Sequence, residues 1–406
     1  MIRKTLARFK TFTAVLLAAA LLPSFAASAF AATAPDAGSD PHRIVHGMTV
    51  SCQTWGWEWG SDAMLGTMDE LKGLGVNWIA IHPYGRLHRD GTVSWRQDYS
   101  TAEWLTRPIA EAHRRGLKIL IKPHLAYWGA GFSWAGDIAF DSPEDWQRFF
   151  ATYREWLVAL TTAAKDADAF CLGTELDQTV SHDIEWRRMI AAVRKVAGPR
   201  PLTYAANWDS YQRVKFWDAL DVISVHAYFP LSHGEQAPGD TALAAAARDW
   251  VARLEDYGRA HNRKVVIGEL GYDISPDAAL RPWESGRSSD RGFWDGAHAR
   301  AADERLQARC LTASLEAIER SDVVVGAFLW KWFPGGPEAS RDEDFLMSTP
   351  TMRDVIAQHW APAGTGPGPR ATRARGLFIL DALLERRERG RELALHLLCG
   401  RLHVGG

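Results

Sequence analysis

The sequence lacks features that would each point to a particular class of protein. Its 406 residues include only four cysteines, and 47 lysines and arginines nearly balance 49 aspartates and glutamates, for a formal net charge of −2. A chain with so little net charge has no overall electrostatic attraction for nucleic acid or for an anionic membrane. Because Cys52 and Cys171 lie in apolar, strand-like runs, we expect no disulfide on which the fold depends.

The sequence also has no uninterrupted apolar run of the roughly 20 residues that a membrane span requires. The most apolar stretch, at 14–22, follows a basic segment at 3–10 and precedes Pro23 and a run of small residues. This order is typical of a cleaved signal peptide over 1–31, and it predicts a secreted or periplasmic protein without stable membrane insertion. A retained anchor is the alternative.

Tryptophan, by contrast, is abundant. The chain has 19, and 47% of its residues are hydrophobic, which is enough for a large core. An indole offers a flat apolar face with one hydrogen-bond donor, and both sugar-binding clefts and protein cores use such faces.

Apolar, β-rich runs alternate with amphipathic helical patterns between residues 44 and 360. The eight runs are 44–52, 76–84, 118–125, 169–176, 201–208, 222–229, 264–270 and 323–332. The helical segment 142–165 opens with Ser142 as a plausible N-cap and Pro143 at its first position. Near-continuous apolar strands separated by helices predict a parallel α/β fold, and eight repeats fit a closed (β/α)8 TIM barrel as a single catalytic domain over 44–360. A doubly wound open sheet is the alternative fold.

Segments of different composition flank the predicted barrel. Residues 32–43 resemble a linker, and residues 361–406 form a Gly/Pro/Arg-rich connector followed by a Leu- and Arg-rich tail. The tail is compatible with a helix packed on the barrel, a partner-binding or membrane-surface helix, or a poorly ordered end. We expect the protein to be a monomer.

Polar and aromatic residues collect at the carboxyl ends of the predicted strands, where barrel enzymes place their chemistry. These residues are Trp55, His82, Tyr84, Lys122, His124, Glu175, Asp177, Asn207, His226, Tyr228, Glu269, Trp330 and Trp332. Their placement predicts one polar mouth at this end of the barrel.

Two glutamates, Glu175 and Glu269, end the fourth and seventh strands in similar settings. A carboxylate in an apolar strand is unfavourable unless it faces a solvated cavity or a partner. Side-chain alternation predicts that Glu175 shares a strand face with Cys171 and Gly173, and Glu269 with Val265 and Ile267. If those faces point inward, both carboxylates reach the mouth.

Two opposed carboxyl groups suit glycoside hydrolysis, and their separation decides the stereochemistry. A separation of about 5–5.5 Å allows one carboxylate to act as a nucleophile with retention, whereas about 6.5–9.5 Å admits a water and leads to inversion. The alternative is that each glutamate forms a structural ion pair with a buried cation such as Lys122.

The chain resembles the clan of retaining (β/α)8 glycosidases, and within it glycoside hydrolase family 113, over about 47–360. The likeness runs through Gly-Thr-Glu-Leu at 173–176, Gly-Glu-Leu-Gly-Tyr at 268–272, Lys-Pro-His at 122–124 and Trp-Lys-Trp at 330–332. This resemblance implies a β-linked polysaccharide or oligosaccharide substrate, endo-β-1,4-mannanase activity and no cofactor. It also implies that Glu175 is the acid/base and Glu269 the nucleophile.

One position departs from the clan: Thr174 precedes the acid/base where many members have an asparagine that binds the sugar 2-hydroxyl. Asn207 or His226 is expected to make that contact instead. Tyr228 is expected to hydrogen-bond Glu269 and keep it ionised, and Trp330 to stack on the sugar, with Trp55 and Trp128 in outer subsites. The full set of expected substrate-binding residues is Trp55, His82, Lys122, His124, Asn207, His226, Tyr228 and Trp330.

Other functions remain open at this point. His82, His124 and His226 would suit a metal-dependent hydrolase, but the first strand has no His-x-His and no short-spaced acidic ligand set accompanies them, so we expect no metal. A retaining glycosidase acting on glucan, xylan or galactan is a closer alternative. A non-catalytic carbohydrate-binding barrel would bind glycans without turnover.

Overall fold

The computed structural model describes residues 44–95, 99, 101–234, 238–285, 296–336 and 345–362. The predicted signal peptide, the linker and nearly all of the C-terminal tail lie outside these residues. Among the described helices, none has an apolar stretch long enough to cross a bilayer.

Eight parallel strands close into a barrel, which confirms the predicted TIM-barrel fold. The described residues form β1 (Val45–Val50), β2 (Trp78–Ile81), β3 (Tyr84–Leu87), β4 (Val93–Ser94), β5 (Lys118–Ile121), β6 (His124–Ala126), β7 (Ala169–Thr174), β8 (Leu202–Asn207), β9 (Ile223–His226), β10 (Val265–Leu270) and β11 (Val324–Trp332). The order around the barrel is β1-β11-β10-β9-β8-β7-β5-β2, and β4-β3-β6 form a separate small sheet.

The α-helices of the described residues alternate with the barrel strands except between β8 and β9, where only two short 3-10 helices, Tyr211–Arg213 and Trp217–Ala219, intervene. The α-helices are α1 (Asp62–Gly73), α2 (Glu103–Arg114), α3 (Pro143–Ala163), α4 (Asp183–Ala197), α5 (Asp240–Ala260), α6 (Gly296–Ile318) and α7 (Pro350–Trp360). Helix α3 begins as predicted, because the Ser142 hydroxyl accepts a hydrogen bond from the Asp145 N–H at 3.0 Å.

Two predicted strands are each broken into two, and a third, predicted over 222–229, is shortened to β9. The run 76–84 breaks into β2 and β3, and the run 118–125 breaks into β5 and β6. Each break contains a proline, Pro83 or Pro123, which has no N–H to donate to a strand ladder. Beyond these breaks β3 and β6 pair with each other, with Tyr84 opposite His124, and extend the wall above the barrel mouth.

The barrel interior is filled by a small cluster that draws on strands alone. Its buried members are Val45, Ala80, Leu120, Cys171, Ala205, Val266 and Phe328. A larger cluster lies between the strands and the helices. It includes six fully buried tryptophans, so part of the tryptophan excess serves the core: Trp59, Trp156, Trp186, Trp217, Trp250 and Trp332.

The simple alternation predicted for the two glutamate strands is wrong. Val265 and Ile267 pack in the outer cluster, and the β9–β10 register shifts between Ile267 and Glu269. In β7 the register shifts after Cys171, and a Cβ on Gly173 would meet the outer Trp186 ring at 2.7 Å. These local irregularities, rather than strict alternation, turn both carboxylates toward the mouth.

Cysteine contributes no cross-link among the residues that the structure describes. Cys52, Cys171 and Cys310 are free thiols. Burial raises the pKa of the Cys52 and Cys310 thiols to about 12, so both stay protonated at neutral pH.

Candidate active site

Glu269 lies near the end of β10, almost fully buried, and both of its carboxylate oxygens have partners. The Lys122 ammonium donates to Oε1 at 2.5 Å, and the Tyr228 hydroxyl donates to Oε2 at 2.8 Å, as predicted for Tyr228. His226 Nδ1 lies 3.5 Å from Oε2. Three side chains from the ends of two other strands, β5 and β9, therefore hold one carboxylate in a single orientation.

Opposing effects determine the pKa of Glu269. Burial is the largest and would raise it, because a low-dielectric setting disfavours the charged form. The charges of His226 and Lys122, together with the hydrogen bonds from Lys122 and Tyr228, outweigh burial and hold the pKa below its usual value. Tyr228 remains a donor, since burial raises the pKa of its phenol well above the usual range. Glu269 is thus an ionised carboxylate at neutral pH.

Glu175 follows β7 in a backbone conformation that non-glycine residues seldom adopt. Its φ is 54°, in the left-handed region, and strain of this kind is concentrated at functional sites. His226 Nδ1 lies 2.7 Å from Oε1, and the Trp134 indole donates to Oε2 at 3.2 Å. The side chain is 19% exposed, against 6% for Glu269, so Glu175 is the more solvent-accessible of the two carboxyl groups.

The two carboxyl groups converge around one imidazole. One oxygen of each glutamate and one ring nitrogen of His226 all lie within 4.8 Å of one another. That distance between the nearest oxygens fits the short class of carboxyl pairs, about 5–5.5 Å apart, in which one carboxylate acts as a nucleophile.

A cleft of about 790 Å³ opens over this pair. Its walls include both glutamates and four of the residues expected to bind substrate, namely His124, Asn207, Tyr228 and Trp330. Trp128, the predicted outer-subsite residue, also lines it. Aromatic faces with a few convergent polar groups are the usual lining of a small-molecule or sugar site.

Four other expected substrate-binding residues do not line this cleft. His82, Lys122 and His226 are fully buried behind its wall, and Trp55 lines a neighbouring cavity. Lys122 and His226 instead contact the glutamates, and His82 Nε2 hydrogen-bonds the Ser51 hydroxyl at 3.0 Å. We assign these three buried side chains to orienting other groups. The ion pair between Lys122 and Glu269, weighed above as a purely structural alternative, thus exists within the site itself.

Three rings stack at one wall of the cleft, with His124 and Trp330 lining it and His82 behind them. The His82 and His124 rings lie 4.7 Å apart, and the His124 ring lies 6.0 Å from the Trp330 ring at an angle of 18°. Burial and the nearby Lys122 charge lower the pKa of His82 to about 3, and burial lowers that of His124 well below its usual value. Both imidazoles are therefore neutral and support the Trp330 face as flat rings.

Thr174, the departure from the clan pattern, has a partner within the wall. Its hydroxyl donates to the Pro123 carbonyl at 3.2 Å. Because His226 is buried and contacts both glutamates, Asn207 is the better placed of the two expected replacements to reach a sugar hydroxyl from the cleft wall.

Sequence reasoning missed several side chains of the cleft. Trp134, which contacts Glu175, lies in an irregular loop after β6, where no periodic pattern marks it. Trp208 and Trp283 stack at 5.4 Å on another wall, and they lie far apart in the chain. A glycine- and tryptophan-rich loop was the one visible signal for Trp134.

The grouping of Glu175, His226 and Glu269 also has the donor types of a metal site. Of the three histidines considered for such a site, only His226 belongs to this group, since His82 and His124 stack on each other. The Lys122 ammonium already neutralises Glu269 and would repel a second cation. The donors therefore fit an organic reaction at the carboxylates better than a metal centre.

Barrel topology and paired carboxylates together define the class of protein: a (β/α)8 glycoside hydrolase. The model of Glycoside Hydrolase Family 113 matches residues 48–348, and the chain belongs to that family. No curated protein matches this chain in sequence.

Solved structures share the fold at low identity. The GH113 β-mannanase AaManA from Alicyclobacillus acidocaldarius is 24% identical, with a TM-score of 0.64 over 78% of this chain and 97% of its own. A second GH113 β-1,4-mannanase is 19% identical, with a TM-score of 0.64 over 79% and 99%. A β-glucuronidase from Ruminococcus gnavus is 15% identical, with a TM-score of 0.52 over 78% of this chain and 50% of its own.

The contacts of Glu269 generate a prediction about its ionisation. Replacing Lys122 with methionine removes the nearest positive charge while burial remains, so the pKa of the Glu269 carboxyl should rise above that of the wild type. Tyr228→Phe removes one hydrogen bond and should raise it less. Carboxyl ¹³C NMR titration, with Glu269→Gln to identify the signal, measures both.

Lys118→Met makes the same chemical change at the first residue of β5, the strand that Lys122 directly follows, and should leave the Glu269 titration unchanged. Equal pKa values in wild type and Lys122→Met would show that the ion pair does not control the carboxylate. Breaking a buried pair also costs about 3–5 kcal/mol of unfolding free energy, which thermal melts can check.

Proposed function

We propose that this protein is a retaining endo-β-1,4-mannanase that works by double displacement, with Glu269 as nucleophile and Glu175 as acid/base. The observation that carries the proposal is the convergence of two carboxyl groups within 4.8 Å, one of them held ionised. Retaining glycosidases require two closely spaced carboxyl groups, one ionised to attack the sugar and one that donates a proton to the leaving group.

In the first step, a Glu269 oxygen attacks the anomeric carbon while Glu175 donates its proton to the departing glycosidic oxygen. A glycosyl ester of Glu269 forms and the leaving chain departs as an alcohol. In the second step, Glu175 removes a proton from water, whose oxygen attacks the same carbon and releases the Glu269 carboxylate. The contacts from Lys122 and Tyr228 then stabilise that carboxylate as the leaving group.

Mannan is the substrate that the surroundings of the glutamates favour. The family's solved β-mannanases share this fold, and Thr174 replaces the asparagine that binds an equatorial 2-hydroxyl in many clan members. In a β-mannoside the 2-hydroxyl is axial and would need a different partner, for which Asn207 on the cleft wall is available. Trp330 supplies the stacking face beside the reacting bond.

We further propose that the barrel, as a monomer over 44–360, acts outside the cytoplasm. The support is the basic, apolar and small-residue order of 1–31.

The roles of the two glutamates can be separated by chemical rescue. Glu269→Ala and Glu175→Ala should each lower kcat on mannan at least about 10³-fold, because each removes a group used in the transition state. With an aryl β-mannoside carrying a good leaving group, azide should rescue both variants. Glu269→Ala should yield the α-azide and Glu175→Ala the β-azide, as read by NMR.

Glu316→Ala, which removes a half-exposed glutamate on α6, is the matched control and should retain wild-type activity. Reversed azide configurations would exchange the two roles. An inverted first product from the wild-type enzyme would contradict double displacement altogether.

A panel of polysaccharides tests the substrate. Wild-type protein should release reducing ends from mannan and glucomannan but not from cellulose, xylan or galactan, and early products should be of mixed length, as endo cleavage requires. Folded Glu269→Ala should release none. Release of reducing ends from a different glycan would contradict the mannan assignment but not the double-displacement mechanism. A folded wild type that binds glycans without releasing reducing ends would favour the binding-protein alternative.

A further inference from the structure

A second cavity, of about 280 Å³, lies beside the catalytic cleft and has a largely aromatic wall. We call it the aromatic pocket. Its rings are Trp55, Trp57, Tyr84, Trp95, Tyr99 and Trp104. They come from the loop after β1, from β3, from the segment around β4 and from the start of α2, elements that contribute little to the catalytic pair.

The aromatic pocket is continuous with the catalytic cleft through one side chain. Tyr84 lines both cavities. Its ring lies 5.8 Å from that of Trp128, in the catalytic cleft, and 6.0 Å from that of Trp55, in the aromatic pocket. A chain bound in the cleft therefore meets an uninterrupted row of rings that leads into the pocket.

The indoles along this row are unusually exposed. Trp128 is 62% exposed, Trp57 43% and Trp55 39%, although six other tryptophans are fully buried. Large apolar side chains that are exposed together mark a binding surface, because water solvates them poorly. Trp57 also contacts the Trp104 ring edge-on at 6.5 Å, which limits its motion and keeps it beside the cavity.

Two hydrogen-bond donors of the pocket, on Arg86 and Trp95, have no acceptor among the described residues. The Arg86 guanidinium lies 5.3 Å from the Trp55 ring, and no described carboxylate pairs with it. The Trp95 indole N–H is buried without a hydrogen-bond partner. No acidic side chain is among the described residues that line the pocket. Unpaired donors beside flat rings suit a ligand with an apolar face and oxygen acceptors at its edge.

We propose that the aromatic pocket binds one hexose unit of the same β-linked polysaccharide, beyond the units held in the catalytic cleft. The sugar face would stack on an indole, and ring or hydroxyl oxygens would accept from Arg86 and Trp95. The proposal rests on the proposed function, since the glycan chain that occupies the cleft is what delivers a unit to the pocket. Binding in the aromatic pocket would make kcat/KM higher for oligosaccharides long enough to reach it.

Chain-length dependence of hydrolysis tests the pocket. Trp57→Ala, which lies outside the catalytic cleft, should lower kcat/KM about tenfold on a manno-hexasaccharide and leave it unchanged on a manno-trisaccharide. Arg86→Ala, an exposed residue, should act in the same direction with less risk to folding. Ile184→Ala, which truncates another exposed apolar residue, on α4, is the control and should change neither value.

Equal loss on both substrates, or no loss on either, overturns the proposal. Titration calorimetry with the hexasaccharide separates this result from failure of the proposed function. In a Glu269→Gln background, Trp57→Ala should weaken binding about tenfold even if the wild type hydrolyses neither oligosaccharide, and unchanged affinity counts against the pocket. Absence of wild-type hydrolysis with pocket-dependent binding would refute the mannanase mechanism alone.

Discussion

The site depends on one buried ion pair, between Lys122, which directly follows β5, and Glu269 near the end of β10. Burial alone would raise the pKa of this carboxyl and favour its neutral form, which is a poor nucleophile. A paired cation offsets that effect at a cost, because both charges leave water. Here the lysine, which reaches Glu269 from across the barrel, helps to hold the pKa of that carboxyl below its usual value despite its burial.

The barrel makes this pairing possible because it brings distant strand ends together. Lys122 and Glu269 are separated by 147 positions, yet the closed sheet places both at one mouth. Pro83 and Pro123 end the second and third barrel strands at that level and let β3 and β6 rise as a separate wall. That wall carries Tyr84, which lines both the catalytic cleft and the aromatic pocket. The strand breaks at the two prolines therefore help to shape both cavities.

Much of the fold was predictable, because eight apolar runs separated by helical patterns admit few topologies. The glutamate pair was also predictable, because a carboxylate at the end of an apolar strand is unfavourable unless it faces a solvated cavity or a partner. Lys122 was offered both as a substrate contact and as an ion-pair partner of a glutamate, and the sequence could not choose between them because only the tertiary distance decides. Trp134 and Trp57 lie in the irregular segments that connect strands and helices, and no periodic pattern in the sequence marks the conformation of such segments. Alternation failed where the strand register shifts, next to both glutamates.

The central claim is that Glu269 forms a covalent bond to the sugar. A 2-deoxy-2-fluoro-β-mannosyl fluoride reacts quickly in the first step and slowly in the second, so it should trap the ester. Mass spectrometry of the intact protein should then show one added fluoromannosyl group, and peptide mapping should place it on Glu269. Label on Glu175, or turnover of the reagent without any labelled protein, would contradict the account.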